Sequence, residues 1–133
     1  MDILTRSAIA LLLILGGFGL AWLYQRRAQL RTPGLLPELG PLRPGAFVLV
    51  YFTTPSCAPC KTVQKPALRE IQETLGEGLQ VVEIDATEQP EMAQRWGVLS
   101  VPTTFVIDSR GQARHVNHGV ARADKLLKQL NGL

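Results

Sequence analysis

The sequence predicts an α/β domain with a central mixed sheet flanked by helices, preceded by a single N-terminal transmembrane helix. Three observations predict it. A long apolar segment without charge opens the chain, apolar runs of strand length alternate with amphipathic helical patterns, and the elements follow in the order βαβαββα. The 133 residues leave room for one such domain.

The first segment has the length and composition of a membrane span. No charged residue occurs between Ser7 and Gln25, and as a helix this run would be about 28 Å long, close to the hydrocarbon thickness of a bilayer. Aromatic residues followed by arginines at its end are typical of the membrane interface. We predict a tail at residues 1–7 and a retained signal anchor at residues 8–25. The alternative is a cleaved secretion signal, although the run ends without a clear small-x-small site.

The charge is unevenly distributed along the chain. Residues 46–133 carry equal numbers of basic and acidic side chains, so the net charge of +3 belongs to residues 1–45. This balance gives no support for a nucleic-acid-binding surface on the folded part. Arg26, Arg27 and Arg31 follow the apolar segment, and the positive-inside rule therefore slightly favours a domain that faces the cytoplasm. An extracytoplasmic domain behind a signal anchor is the alternative.

Residues 26–45 are predicted to form a tether between the membrane and the domain. From residue 31 to residue 45 the sequence contains four prolines and three glycines, which no long regular element tolerates. The composition is typical of a semi-stiff linker with, at most, one short helical turn at Leu35–Leu39. The predicted domain therefore occupies residues 46–133.

Four strands are predicted from the apolar pattern of the domain. Ala46–Phe52 and Leu79–Asp85 are apolar enough for strands covered on both faces. Thr103–Ile107 is the third strand, and the turn D-S-R-G follows it. The more polar run at residues 112–118 suits the edge of a sheet.

Three helices are predicted between and after these strands, at Ala58–Leu75, Glu88–Trp96 and Arg122–Leu130. The sequence G-E-G ends the first of them. Their apolar residues recur at helical spacing and predict the faces that the helices bury: Val63, Ala67, Leu68, Ile71 and Leu75 in the first, Met92 and Trp96 in the second, and Ala123, Leu126, Leu127 and Leu130 in the third.

The stretch T-P-S-C-A-P-C-K, residues 54–61, holds both cysteines of the chain, Cys57 and Cys60. A purely structural disulfide here would close a loop of about four residues and would restrict the unfolded chain little. A zinc site needs four converging ligands, and His115 and His118, three apart in a predicted strand, point to opposite faces. We interpret both histidines as surface residues. A metal shared between two chains through the dithiol stays open.

The spacing favours a redox-active dithiol. With Cys57 at the start of a helix and Cys60 one turn later, both sulfurs lie on one face within reach of a disulfide. The first sulfur faces unpaired backbone N–H groups and the positive end of the helix dipole, which favours the thiolate and makes it the nucleophile. Pro59 fits the first helical turn, and Lys61 adds positive charge. Such a dithiol reacts through a mixed disulfide that the second thiol resolves.

These segments together resemble the thioredoxin family. The resemblance rests on F-V-L-V-Y-F, C-A-P-C-K opening a helix, E-I-D, W-G-V-L-S-V-P-T-T-F-V-I and D-S-R-G, which span essentially all of the predicted domain. It implies a thioredoxin-like fold, a cis bond between Val101 and Pro102, and a groove in which the backbone of Val101 pairs with an extended substrate. It also implies substrate contacts at Pro102 and Thr103, with Ser56 and Pro59 beside the dithiol.

The chain departs from the family pattern at three positions. Thioredoxins usually have Trp immediately before the first cysteine and a buried Asp six residues before it, where this chain has Ser56 and Tyr51. A phenol with a reference pKa of about 10 is a poor base near neutrality. We therefore expect Cys60 to resolve the mixed disulfide more slowly than in a typical thioredoxin. The helix proline falls one place late, at Pro66, and the N-terminal strand and helix of the full fold look abbreviated into the tether.

The sequence thus predicts a membrane-tethered thiol-disulfide oxidoreductase in which Cys57 attacks and Cys60 resolves. The proline in C-A-P-C resembles reducing members of the family, which favours reduction of protein disulfides. No bound cofactor is expected. Electrons would come from a thioredoxin reductase if the domain is cytoplasmic, or from a membrane dithiol relay if it lies outside. The alternative is a non-catalytic thioredoxin-fold adaptor or metal-delivery module at the membrane.

Overall fold

The computed structural model describes residues 2–29 and 32–133. Met1, which belongs to the predicted tail, and Leu30 and Arg31, which belong to the predicted tether, lie outside the described residues. Contacts within the chain separate an N-terminal helix from a compact domain that begins at Thr32. Each unit is described by itself.

Helix α1, Ile3–Gln29, contains the predicted membrane span. The segment Ile3–Arg26 has a mean hydropathy of 2.0 and is the one helix in the described part of the chain that is long and apolar enough to cross a membrane. The guanidinium of Arg26 lies 5.0 Å from the centre of the Trp22 ring, a cation–π contact at the end of the apolar run. By length and composition alone, a membrane span and a signal sequence both fit this helix.

The segment predicted as a tether packs partly onto the domain. A 3-10 helix at Thr32–Leu39 replaces the single expected turn. Gln80 fixes the chain that follows, because its Nε2 donates to the Pro41 carbonyl at 3.2 Å and its Oε1 accepts from the Arg43 N–H at 2.7 Å. The domain therefore starts near residue 32 and not at residue 46, since apolar side chains of this segment bury surface that a free linker would expose to water. These side chains are Leu35, Leu36, Leu39 and Leu42.

Four strands form one mixed sheet: β1 (Phe47–Thr53), β2 (Leu79–Asp85), β3 (Thr103–Ile107) and β4 (Ala113–His118). Their order in the sheet is β2-β1-β3-β4. Strand β1 is parallel to β2 and antiparallel to β3, and β3 is antiparallel to β4. The central strand β1 is buried from Val48 to its end, which explains why its sequence is apolar without alternation. The predicted mixed sheet is confirmed.

Three α-helices follow the strands at nearly the predicted positions, and the order βαβαββα is confirmed. They are α2 (Lys65–Leu75), α3 (Pro90–Arg95) and α4 (Ala123–Asn131). A short 3-10 helix at Gly76–Gly78 ends α2 at the predicted G-E-G. The first predicted helix is not uniform, however, because Cys60–Gln64 forms a π-helical turn in front of α2.

The sheet separates two apolar cores. One contains both cysteines together with Leu49 and Tyr51 of β1 and the inner residues of α2 and α4. The other is centred on three aromatic rings, Phe52, Trp96 and Phe105, whose centroids lie 4.9 to 5.9 Å apart. The dithiol therefore lies on the sheet face that α2 and α4 cover, at the end of the central strand.

Candidate functional site

Cys57 and Cys60 form a disulfide, with their Cα atoms 5.3 Å apart. The N–H of Cys60 donates a hydrogen bond to the Sγ of Cys57 at 3.2 Å. Cys57 retains 8 % of its surface whereas Cys60 is fully buried. The two sulfurs predicted to react with each other are thus brought together, and the outer sulfur is the one that receives a backbone N–H at the start of the helix.

A π-helical turn carries the second cysteine. The N–H of Lys65 donates to the carbonyl of Cys60, five residues back. Pro66 has no N–H to return to the carbonyl of Thr62, so a regular α-helical turn would leave a bond unmade at this point, and the wider turn accommodates the proline. Wider turns of this kind are frequent at functional sites. Pro59 is exposed and lies in the first turn before it.

The loop before β3 supplies the other predicted site residues. The bond between Val101 and Pro102 is cis, as expected. Val101 is half-buried and packs against the core cluster that contains both cysteines, while Pro102 is buried. Thr103 is fully buried, and its hydroxyl donates to the Ser100 carbonyl at 2.7 Å. The hydroxyl of Thr103 is therefore used within the fold, and its backbone lies between Phe52 of β1 and His118 of β4, so this residue presents no surface to a substrate.

Ser56 and Lys61 flank the dithiol on the surface. Both residues are exposed. Lys61 lines a surface cleft of about 390 Å³ together with Lys65, Glu83 and Asp85. The cleft thus holds two ammonium groups and two carboxylates, which balance in formal charge.

Tyr51 lies fully buried in β1, on the same core as the dithiol. Its hydroxyl makes no well-formed hydrogen bond in the part of the chain that the structure describes, and the side chain of Thr53, two residues along β1, is the polar group that acts on it. The strand register places Tyr51 beside Glu83 on one side and Thr104 on the other. Burial raises the pKa of Tyr51 above its usual value, so the phenol stays protonated at neutral pH.

An ion pair lies next to this phenol. Lys65 Nζ and a carboxylate oxygen of Glu83 are 3.3 Å apart, and both side chains are about half exposed. The two residues line a cleft of about 440 Å³ that Tyr51 also borders. Tyr51 therefore places a neutral phenol where the family usually has a buried carboxylate. The acidic side chain opposite it on β2 is Glu83, which is already paired with Lys65.

Gln64 is a buried polar residue that the helical pattern did not single out. The pattern assigned Val63 to the core, but Val63 is half-buried and Gln64 is fully buried. Ala67 is buried as predicted, and the remaining predicted apolar positions of α2 and α4 pack against the core that contains both cysteines. The signal for Gln64 was its spacing, four residues after Cys60 and four before Leu68, which places it on the inner face of the helix.

The two histidines lie on opposite faces of β4, as the odd spacing predicts. The register places His115 opposite Val106 and His118 opposite Thr103, and these two positions of β3 alternate between the faces of the sheet. Burial lowers the pKa of His115, and the charge of the adjacent Arg114 lowers it further. His115 is therefore neutral at neutral pH and does not join His118 in a common site.

Removing the buried hydroxyl should stabilise the domain. We expect Tyr51→Phe to raise the free energy of unfolding by about 1 kcal/mol, because an unpaired polar group is replaced by an apolar group of the same shape. Urea denaturation of the reduced and oxidised proteins measures this change. A loss of stability of similar size would mean that the hydroxyl has a hydrogen-bond partner in solution.

The sequence and fold match known proteins. The thioredoxin family model matches residues 42–132. A 60-residue segment is 42 % identical to thioredoxin of Bacillus subtilis and covers 45 % of this chain and 57 % of that protein. Over 83 residues the chain is 36 % identical to chloroplastic thioredoxin Y of rice, covering 62 % of this chain and 48 % of that protein. The matched segment thus spans about half the length of these relatives.

The three-dimensional fold agrees with these matches. The structure of oxidised mitochondrial thioredoxin 3 from Saccharomyces cerevisiae superposes with a TM-score of 0.58 at 25 % identity, covering 67 % of this chain and 80 % of that one. The malaria parasite's thioredoxin-2 superposes with a TM-score of 0.65 at 16 % identity and covers 71 % of this chain and 89 % of that one. With its dithiol at the start of a helix and its mixed four-stranded sheet, the chain belongs to the thioredoxin family.

Proposed function

We propose that this protein is a membrane-tethered thiol-disulfide oxidoreductase that reduces disulfides of other proteins. One observation carries the proposal. The Sγ of Cys57 accepts the N–H of Cys60 at 3.2 Å at the start of a helix, which stabilises negative charge on this sulfur. Cys60 is completely buried behind it. A substrate disulfide therefore meets one sulfur first, and the second sulfur is held within bonding distance of it.

The reaction starts from the reduced dithiol and moves two electrons. The Cys57 thiolate attacks one sulfur of the substrate disulfide, a mixed disulfide forms, and the first substrate thiolate leaves and takes up a proton. The Cys60 thiol then loses its proton and attacks the Sγ of Cys57. The Cys57–Cys60 disulfide forms, the mixed disulfide breaks, and the second substrate thiolate leaves. The substrate is reduced and the protein is oxidised to the state seen in the structure.

Substrate binding is assigned to the surface around the dithiol. The backbone of Val101 is proposed to pair with an extended segment of the substrate, and Pro102 shapes the groove. Ser56 and Pro59 are exposed beside Cys57 and are proposed to contact the substrate. Thr103, which is fully buried, is proposed to contribute indirectly, by holding the cis-proline loop through its bond to the Ser100 carbonyl. Lys61 and Tyr51 are proposed to tune the reactivity of the dithiol.

The electron donor depends on the side of the membrane. We propose that α1 anchors the protein and that the domain faces the cytoplasm, where a thioredoxin reductase would regenerate the dithiol. The support is the apolar span Ile3–Arg26 and the arginines that follow it. A domain on the other side would receive electrons from a membrane dithiol relay.

Insulin reduction tests the reductase proposal. With dithiothreitol as electron donor, the wild-type protein should accelerate precipitation of the insulin B chain, and a variant with both Cys57→Ser and Cys60→Ser should match the blank. Full-length protein in detergent is the appropriate sample. Wild-type protein at the level of the blank would favour the adaptor or metal-delivery alternative.

Thiol labelling of intact cells tests the proposed orientation. We expect an impermeant maleimide to leave Cys57 unlabelled in intact cells treated with a permeant reductant, and to label it once the cells are opened. The Cys57→Ser variant identifies the labelled residue. Labelling in intact cells would place the domain outside the cytoplasm. Extraction at alkaline pH in the same experiment separates an anchored protein, which stays with the membranes, from a processed one.

A further inference from the structure

Gln64 connects the helix of the dithiol to the loop between β4 and α4. Its side chain is completely buried, and so is Ala121 of that loop. Gln64 Nε2 donates to the Ala121 carbonyl at 3.0 Å, and Gln64 Oε1 accepts from the Ala121 N–H at 2.9 Å. One side-chain amide thus satisfies both backbone groups of a buried residue that is distant in sequence, in the way that a neighbouring strand would.

The same loop is also bonded to the loop of the cis proline. The N–H of Gly119 donates to the Pro102 carbonyl at 2.9 Å. Gly119 has φ +90°, in the left-handed region that favours glycine, so the chain turns sharply here. Val120, between the two bonded residues, is exposed to 38 %. The three-residue segment Gly119–Ala121 is therefore held at both ends, by Gln64 at Ala121 and by Pro102 at Gly119.

We propose that Gln64 is a positioning residue. It sets the distance between the dithiol helix and the segment Gly119–Ala121, and thereby the surface on which protein substrates bind. This inference rests on the proposed reductase function. The amide fixes one end of the segment and Pro102 fixes the other, so that Val120 is presented toward solvent at a fixed place beside the cis-proline loop. An apolar side chain at position 64 would fill the same volume and would leave the N–H and carbonyl of Ala121 without partners, and the segment would then be free to move.

The two classes of disulfide substrate should respond differently. A protein disulfide brings backbone and side chains that contact both the dithiol helix and the segment Gly119–Ala121. Oxidised glutathione is small and needs little beyond access to Cys57, the less buried of the two cysteines. We therefore expect Gln64→Met to raise the KM for insulin by about tenfold, which corresponds to about 1.4 kcal/mol of lost binding free energy. The kcat for insulin and the kcat/KM for oxidised glutathione should change less than about twofold.

Gln72→Met is the matched control, because Gln72 lies exposed on α2, the helix that continues from the turn of Gln64, and the substitution is the same. This variant should leave both substrates unaffected. A purely structural role of Gln64 would lower the melting temperature of Gln64→Met and reduce activity on insulin and oxidised glutathione by the same factor. That equal reduction, or an unchanged KM for insulin in a folded Gln64→Met variant, would overturn the proposal.

Hydrogen exchange gives a test that does not depend on activity. In the wild-type protein the amides of Ala121 and Gly119 should share one protection factor, since the short segment between them is held at both ends and opens as one unit. Faster exchange at both positions in Gln64→Met supports the link. Exchange of Gly119 independent of Ala121 in the wild type contradicts it. If the wild type does not reduce insulin but the two amides exchange together, the reductase proposal fails while the coupling of the two segments stands.

Discussion

Replacing Cys60 with serine is expected to trap substrates as stable mixed disulfides. The variant keeps Cys57, which is the more exposed sulfur, so the first attack proceeds. It lacks the thiol that would break the bond, so the complex persists, and turnover with insulin should fall by about three orders of magnitude or more. Non-reducing electrophoresis of the affinity-tagged variant, purified from cells after acid quenching, measures the trapped species. Mass spectrometry then identifies the substrates.

Cys57→Ser is the control for this experiment. Cys60 is completely buried, so its thiol is out of reach of a protein disulfide and this variant should trap nothing. Equal trapping by both variants would show that the order of attack proposed here is wrong. An absence of mixed disulfides in Cys60→Ser, in cells where the wild type is oxidised and reduced normally, would argue that the partner binds without exchange, as an adaptor would.

The fold was predictable because its signals are local. The apolar run of β1 predicts a strand covered on both sides, and the sheet indeed has β1 between β2 and β3. The position of Cys57 before a helix follows from the turn and the proline around it. The pattern of Leu126 and Leu130 likewise places α4 on the core. In each case a periodicity of the chain itself determines which face is buried.

The parts that the sequence did not predict depend on contacts between distant segments. The proline-rich segment reads as a linker by composition, yet Leu35 and Leu39 pack on the aromatic core, and Gln80 holds the chain beyond them. Gln64 reads as a polar helix residue, yet its partner lies in the loop before α4. Composition and spacing do not reveal a hydrogen-bond partner that lies far away in sequence, so such residues need coordinates to be recognised.

The environment of Tyr51 suggests why the second step of the reaction should be slow. The Cys60 thiol must lose its proton before it attacks, and a base beside it would take that proton. Tyr51 is neutral at neutral pH because burial raises its pKa. Glu83 is the acidic side chain that the register places beside it, but Glu83 is paired with Lys65. No free carboxylate therefore faces the dithiol from β1 or its neighbouring position on β2.

Tyr51→Asp is expected to accelerate resolution of the mixed disulfide by about tenfold at neutral pH. This factor is smaller than the acceleration of about a hundredfold or more that a well-positioned base contributes. Burial raises the pKa of a carboxyl group, so the acceleration should appear as pH rises through that raised pKa and disappear below it. Stopped-flow reduction of a model disulfide across this range measures the effect. Tyr51→Asn loses the same ring volume without gaining a base, and it should resolve no faster than the wild type at any pH. Equal rates in the Asp and Asn variants at neutral pH would show that the lack of a base at this position does not limit the step.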